Sequence, residues 1–174
     1  MKTIRKSIFE TNSSSTHTIV IDKTAAIKDV NFISFGLDEF GWQFDKFTDI
    51  ADRAAYLWTY LVYKYEEYDS STKEYDYTKV YEWRDKLEKV LNDHGIQCEF
   101  KDPSSERYFY IDHCSGLTGY FEDMIENDNE KLLKFLLGSE TVIFTGNDND
   151  EGKYDDEIVQ LALDPNKETW YKGN

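Results

Sequence analysis

"TDIADRAAYLWTYLVYKYEEY" spans residues 48–68, and its periodicity sets the fold class. Ile50, Ala54, Leu57, Leu61 and Tyr65 recur at three- and four-residue spacing, the apolar stripe of an amphipathic helix. Thr48 is placed to cap the first turn, and Asp49 and Asp52 suit its positive end. "YDYTKVYEWRDKLEKVLNDHG" (75–95) predicts a second long helix. Val80, Arg84, Leu87 and Leu91 share its inner face, with the arginine a blemish, and Gly95 is a stop just past the last turn.

Strand patterns flank this helical pair. "TIRKSIF" (3–9) and "HTIVI" (17–21) alternate or run apolar, and the Ser/Thr/Asn-rich stretch between them favours a turn, so a hairpin is expected. "VNFISFG" (30–36) reads as a third strand and "DEFGWQF" (38–44) as a loop around Gly41. "IQCEF" (96–100) and "RYFYID" (107–112) predict another hairpin across "KDPSSE". Two shorter helices follow over 119–127 and 128–138, the second capped by Asp128 and stopped by Gly138. "TVIFTG" (141–146) is an apolar strand, 147–156 an acidic loop, and "EIVQLALD" (157–164) is read as a short helix. The expectation is one α+β domain over 1–165, with a mixed, mostly antiparallel sheet, two long helices and two or three short ones. Residues 166–174 are expected to form a loosely held tail.

The 174 residues carry 35 acids and 20 bases, a net charge of −15. That argues against direct nucleic-acid binding, which needs clustered Lys and Arg, and against an anionic membrane surface. It favours solubility and attraction to basic surfaces, including those of nucleic-acid-binding proteins. There is no apolar run of membrane-spanning length and no signal-peptide pattern. Two cysteines, Cys98 and Cys114, make no disulfide framework, so a reducing cytoplasm is the expected compartment.

Four stretches could carry chemistry. The first runs from Glu10 to His17. Glu10, Asn12, Ser13, Ser14 and Ser15 could cup a phosphate or carboxylate with backbone N–H groups and hydroxyls, and His17 could move a proton. Neither nucleotide-loop glycine pattern is present, and the plain alternative is a capped turn with a surface histidine. The second is "YIDHCSG" (110–116), where Asp112 could orient an imidazole. Adjacent strand residues point to opposite faces, which disfavours a dyad of His113 with Cys114. The third is "TGNDNDEG" (145–152), where Asp148 and Asp150 offer oxygen ligands for a divalent cation. The EF-hand pattern fails there, because Ile158 stands where a bidentate Glu is required.

The fourth is a surface. Eight of the 13 tyrosines lie between Tyr56 and Tyr81, among many acids. Tyr56, Tyr60 and Tyr63 fall on one helix face, followed by Glu66, Glu67, Asp69, Glu74 and Asp76. Aromatic rings beside charges serve protein interfaces as anchors, and half-buried tyrosines with wet hydroxyls are the ordinary alternative.

"FETNSSSTH" (9–17), "FGW" (40–42), "YIDHCS" (110–115) and "TGNDND" (145–150) together resemble a family of small proteins encoded by bacteriophages and prophages, over residues 5 to about 150. The family pattern has Gln where this chain has Cys114, which weakens any thiol nucleophile. The resemblance implies that Glu10, Asn12, Ser13, Ser14, Ser15, His17, Asp112, His113, Asn147, Asp148 and Asp150 are more than turn residues; converging at one sheet edge they would suit a metal or a phosphorylated ligand, or equally form a buried hydrogen-bond network that holds loops together. It also implies a bacterial host as the setting. Two functions follow as expectations. One is a phage-encoded binding protein, needing no cofactor, that occludes a basic nucleic-acid-binding defence protein of the host, such as a CRISPR or restriction nuclease. The other is a metal-assisted nucleotide-binding or phosphoester-processing enzyme, with His17, Asp112 and His113 catalytic and Asp148 and Asp150 holding a divalent cation.

Overall fold

The computed structural model describes residues 15–41, 43–105, 108–112, 117–147 and 153–172. In chain order the elements are β1 (Ser15–Asp22), β2 (Phe32–Phe35), β3 (Glu39–Phe40), β4 (Lys46–Phe47), α1 (Ile50–Tyr65), β5 (Glu67–Asp69), β6 (Glu74–Asp76) and α2 (Thr78–Asp93). Then come β7 (Gln97–Phe100), β8 (Tyr110–Ile111), α3 (Tyr120–Glu126), α4 (Asn129–Leu137), β9 (Val142–Asn147), α5 (Asp155–Leu163) and β10 (Lys167–Lys172). The chain is a single α+β domain with mostly antiparallel strands. No helix among the described residues is long and apolar enough to cross a membrane.

The main sheet has the order β10-β1-β9-β4 and is antiparallel throughout. Its central strand β1 is buried on both faces, which is why "HTIVI" runs apolar instead of alternating. Ile19 and Ile21 pack with Ile143 into the large core built on α1, α3 and α4. Val20, Val142 and Phe144 face the other way, under Tyr154, Ile158 and Leu161 of the α5 layer. The sheet is therefore covered on both sides.

Helix α1 exceeds the expected stripe. Tyr56, Trp58, Tyr60 and Val62 are fully buried along with Ala54, Leu57 and Leu61, so α1 is the central helix of the core and not a surface helix. Its N-cap is Asp49 without a side-chain bond, so the expected Thr48 cap is corrected. The Thr48 carbonyl instead accepts from Arg53 Nη1 at 3.0 Å. Arg53 is also fully buried. It donates to the Leu136 carbonyl through Nε (3.1 Å) and Nη2 (2.8 Å), and to the Thr141 carbonyl through Nη1 (2.6 Å). This fork closes the C-terminal end of α4, where helix carbonyls lack partners, and ties it to the approach to β9. Burial lowers the Arg53 pKa to about 10, so the side chain remains a cation near neutrality.

Several expected pairings are corrected. Strand 3–9 lies outside the described residues, but both edges of β1 over 17–20 are taken by β9 and β10, so the expected hairpin does not hold this strand. The tail is not loose over its length. Lys167–Lys172 is an edge strand in register with β1, with Trp170 opposite Ile19 and packed on the core. The hairpin of 96–100 with 107–112 does not form among the described residues: β7 pairs parallel with β2, and β8 parallel with β3. Finally, α1 stops at Tyr65 because Glu66 is extended, and 67–76 forms the small hairpin β5–β6 ahead of α2. The helix over 157–164 is present as α5, and Asp128 caps α4 by accepting from Lys131 N at 3.0 Å.

Candidate functional site

One candidate cluster is assembled at the start of β1. Ser15 and His17 project into the core layer two residues apart and are buried, His17 completely. Pairing of β3 with β8 brings Gly41 beside Asp112, and the Asp112 amide donates to the Phe40 carbonyl at 2.9 Å. Ser15 Oγ donates to the Asp112 carboxylate. His17 Nε2 lies 2.7 Å from the Asp112 carbonyl oxygen, and Nδ1 lies 2.8 Å from the Tyr56 hydroxyl. A carbonyl only accepts, so in the neutral ring Nε2 carries the proton and Nδ1 accepts from Tyr56. Gly41 has φ of +111°, and a Cβ there would stand 3.0 Å from both His17 Nε2 and Asp112 Cβ. On the far side, Ser15 and His17 are in register with Asn147 and Thr145 of β9.

The stretches "STH", "FG" and "YID" thus meet, with the backbone of Thr145–Asn147 paired directly to the first of them. Glu10, Asn12, Ser13, Ser14, Trp42, His113, Asp148 and Asp150 lie outside the described residues. The surface position of the turn-with-histidine alternative is corrected for His17, whose ring is enclosed with both nitrogens engaged. What this arrangement does is fasten three distant segments: β1, α1 through Tyr56, and the β8 end through Asp112. Among the described residues, no group of three or more His, Cys, Asp or Glu is placed to hold a metal ion. The half-buried thiol of Cys98 is pushed up to about 11 by burial, which keeps it protonated and unreactive near neutrality.

A separate candidate is the aromatic and acidic band, and its membership changes. Tyr56 and Tyr60 are fully buried and offer no contact surface, while Tyr63 is exposed. The Tyr60 hydroxyl is consumed internally by the Leu117 carbonyl (2.9 Å) and by Glu122. Burial works to raise the Glu122 pKa, but bonds from Lys64, Tyr65 and Tyr60 outweigh it, so the group stays ionised. Glu66 is half-buried, and burial raises its pKa. Glu67, Asp69, Glu74 and Asp76 are exposed on the β5–β6 hairpin. Bonds from the Ser71 and Thr78 side chains hold Asp69 and Asp76, respectively, below the usual carboxylate range, so both keep their charge.

On the β5–β6 hairpin the exposed rings are Tyr68 (55%) and Tyr75 (53%), a cross-strand pair with centroids 5.1 Å apart. Tyr77 continues the row 6.1 Å from Tyr75, Tyr81 follows at 6.3 Å, and the Arg84 guanidinium closes it 4.9 Å from the Tyr81 ring. The sequence signal for this row is the repeated "EYD" at 67–69 and 74–76, two alternating triplets across a polar turn. Comparison with protein-family models, curated proteins and solved structures finds no match to this chain.

Proposed function

We propose that the chain is an acidic binding protein whose β5–β6 hairpin and first turns of α2 form its contact face. The observation that carries this is the row Tyr68, Tyr75, Tyr77 and Tyr81 set among Glu67, Asp69, Glu74 and Asp76. Exposed carboxylates alone contribute little affinity, because water and salt screen them. Rigid aromatic rings supply buried area at low entropic cost and act as anchors, while the carboxylates select a basic partner and steer it. A net charge of −15 extends that steering field over the whole molecule.

The partner class that fits is a basic nucleic-acid-binding protein. The phage-like stretches point to a host defence nuclease, of the CRISPR or restriction type. The mechanism is occlusion: carboxylates occupy the places of phosphates over a basic channel. The metal-assisted enzyme alternative has less geometric support, since His17 is fully buried with both ring nitrogens engaged.

The test is a DNA-cleavage assay with purified nucleases of both types, titrated with the wild-type chain and with a Tyr68→Ala/Tyr75→Ala double variant. Protection that weakens with salt is expected, with the half-inhibitory concentration raised about 30-fold in the double variant, the loss of roughly 2 kcal/mol at an aromatic anchor. Tyr171→Ala removes an exposed ring on β10 and serves as the control. No protection, or equal loss in the control, refutes the proposal.

A further inference from the structure

The two "EYD" triplets alternate acid, ring, acid, and the register of β5 with β6 turns that alternation into a division of faces. Successive strand residues point to opposite sides, and residues directly opposite each other share a side. Glu67 pairs with Asp76 and Asp69 with Glu74, so all four carboxylates stand on one face. Tyr68 pairs with Tyr75 on the other, where Tyr77 stacks on Tyr75 with 19° between ring planes. All six strand residues are exposed and the two strands form a sheet of their own, so neither face is spent on the core.

This blade is held in shape at both ends. At the turn, Asp69 accepts from the Ser71 amide (2.8 Å) and hydroxyl (2.6 Å), and Lys73 N donates to the Asp69 carbonyl at 2.8 Å. At the root, Asp76 accepts from the Thr78 amide (2.8 Å) and hydroxyl (2.7 Å), and Lys79 pairs with Glu67. Asp69 and Glu74, the pair beside the turn, form no salt bridge among the described residues. A preformed element of this kind loses little freedom on binding.

A two-faced blade cannot lay both faces on one flat surface. It fits a groove with unlike walls, one basic and one aromatic. Single-stranded nucleic acid demands that pair of walls, because cations track its phosphates while aromatic side chains stack on its unpaired bases. A duplex keeps its bases stacked inside, so a groove built for a duplex has no wall for the rings. We infer that the β5–β6 hairpin enters a protein groove that binds single-stranded nucleic acid, with Asp69, Glu74 and Asp76 in the places of phosphates and Tyr68 and Tyr75 in the places of bases. Carboxylates two residues apart on a strand stand about 7 Å apart, close to the step between phosphates of an extended single strand. The inference rests on the reading of the chain as an acidic binding protein and narrows its partner.

The probe is a bacterial OB-fold single-stranded-DNA-binding protein holding a fluorescent oligothymidylate, titrated with the full chain and followed by anisotropy. Such grooves accept any sequence, so one representative tests the class. The comparison is a restriction nuclease holding a labelled duplex without divalent metal. Release of the single strand is expected, weakening with salt, with an inhibition constant at least tenfold below that for the duplex. Tyr68→Glu/Tyr75→Glu makes the net charge two units more negative than −15, yet is expected to weaken release about 30-fold, because the rings are lost. Tyr68→Thr/Tyr75→Thr, which keeps good strand formers, is expected to weaken it as much. Glu74→Gln weakens it about threefold and flattens the salt dependence. No release of the single strand, equal constants for single strand and duplex, or release undiminished in either ring variant would each overturn the inference. Protection in the cleavage assay would then still uphold the acidic-binding reading, and its absence would remove both.

Discussion

Replacing Gly41 by Ala tests the geometry of the buried cluster most directly. Two costs combine there. At φ of +111° an L-residue is strained by about 1–3 kcal/mol. The new methyl would also stand 3.0 Å from Asp112 Cβ and His17 Nε2, and 3.1 Å from His17 Cε1. Neither neighbour yields freely, because His17 is held at both nitrogens and Asp112 by Ser15 and by the Phe40 carbonyl. Overpacking of this kind costs about 1–3 kcal/mol, giving a total near 4 kcal/mol. For a domain of this size that lowers Tm by about 8–16 °C. Two further glycines separate the terms. Gly95 has φ of +76° and open space within 4 Å of where an added methyl would stand, so Gly95→Ala reports backbone strain alone, about 1 kcal/mol. Gly36→Ala places its methyl 3.7 Å from Ala55 Cβ, an ordinary contact, and is expected within about 0.5 kcal/mol of wild type. Urea unfolding with unchanged m-values is the assay. If Gly41→Ala costs no more than Gly95→Ala, His17 and Asp112 do not close on Gly41 as described.

Two other outcomes follow from buried charge. Arg53→Met strips the Leu136 and Thr141 carbonyls of their donors and is expected to cost about 2–5 kcal/mol in urea unfolding, with Arg53→Lys recovering less than half because an ammonium cannot span both. At Asp22, burial works to raise the pKa, but bonds from the Thr24 hydroxyl and amide and from Lys167 outweigh it and bring the carboxyl from 3.8 to about 2. A depressed carboxylate stabilises above its unfolded value and loses that contribution as pH falls through the folded one. Asp22→Asn is therefore expected to cost about 1–2 kcal/mol at pH 7 after allowance for solvent screening, and about half as much at pH 3. A gap between variant and wild type that is constant from pH 7 to 3 would contradict this assignment.

Elements whose signals are local were legible in the sequence. The Asp128 cap, the Gly95 and Gly138 stops and the apolar strand at 141–146 all depend on neighbours within a few residues. The parallel pairs were not legible, because two-to-four-residue strands such as β3 and β8 carry no mark of their distant partner. Tyr56 and Tyr60 misled for a chemical reason. A tyrosine whose hydroxyl finds His17 or Glu122 needs no water, so its spacing on a helix does not say which side faces out. "KETWYK" has the composition of a polar tail, yet alternating β-formers flanked by lysines suit an edge strand guarded against further pairing. The described parts of all four quoted stretches do meet in space, with Thr145–Asn147 paired to Ser15–His17, and nothing local in them encodes the approach of Gly41 to His17.

The position of β1 also has a kinetic meaning. Its two partners are β9 and β10, so Ile19 must find Ile143 on one side and Trp170 on the other. Both searches close loops of more than a hundred residues, which slows folding relative to the helices, whose bonds are local. During synthesis "HTIVI" emerges before either of these partner strands and waits, apolar, until β9 and β10 have followed it. The protein's period of greatest exposure to aggregation is therefore its own translation, and the stretch at risk is the one that later becomes the centre of the sheet.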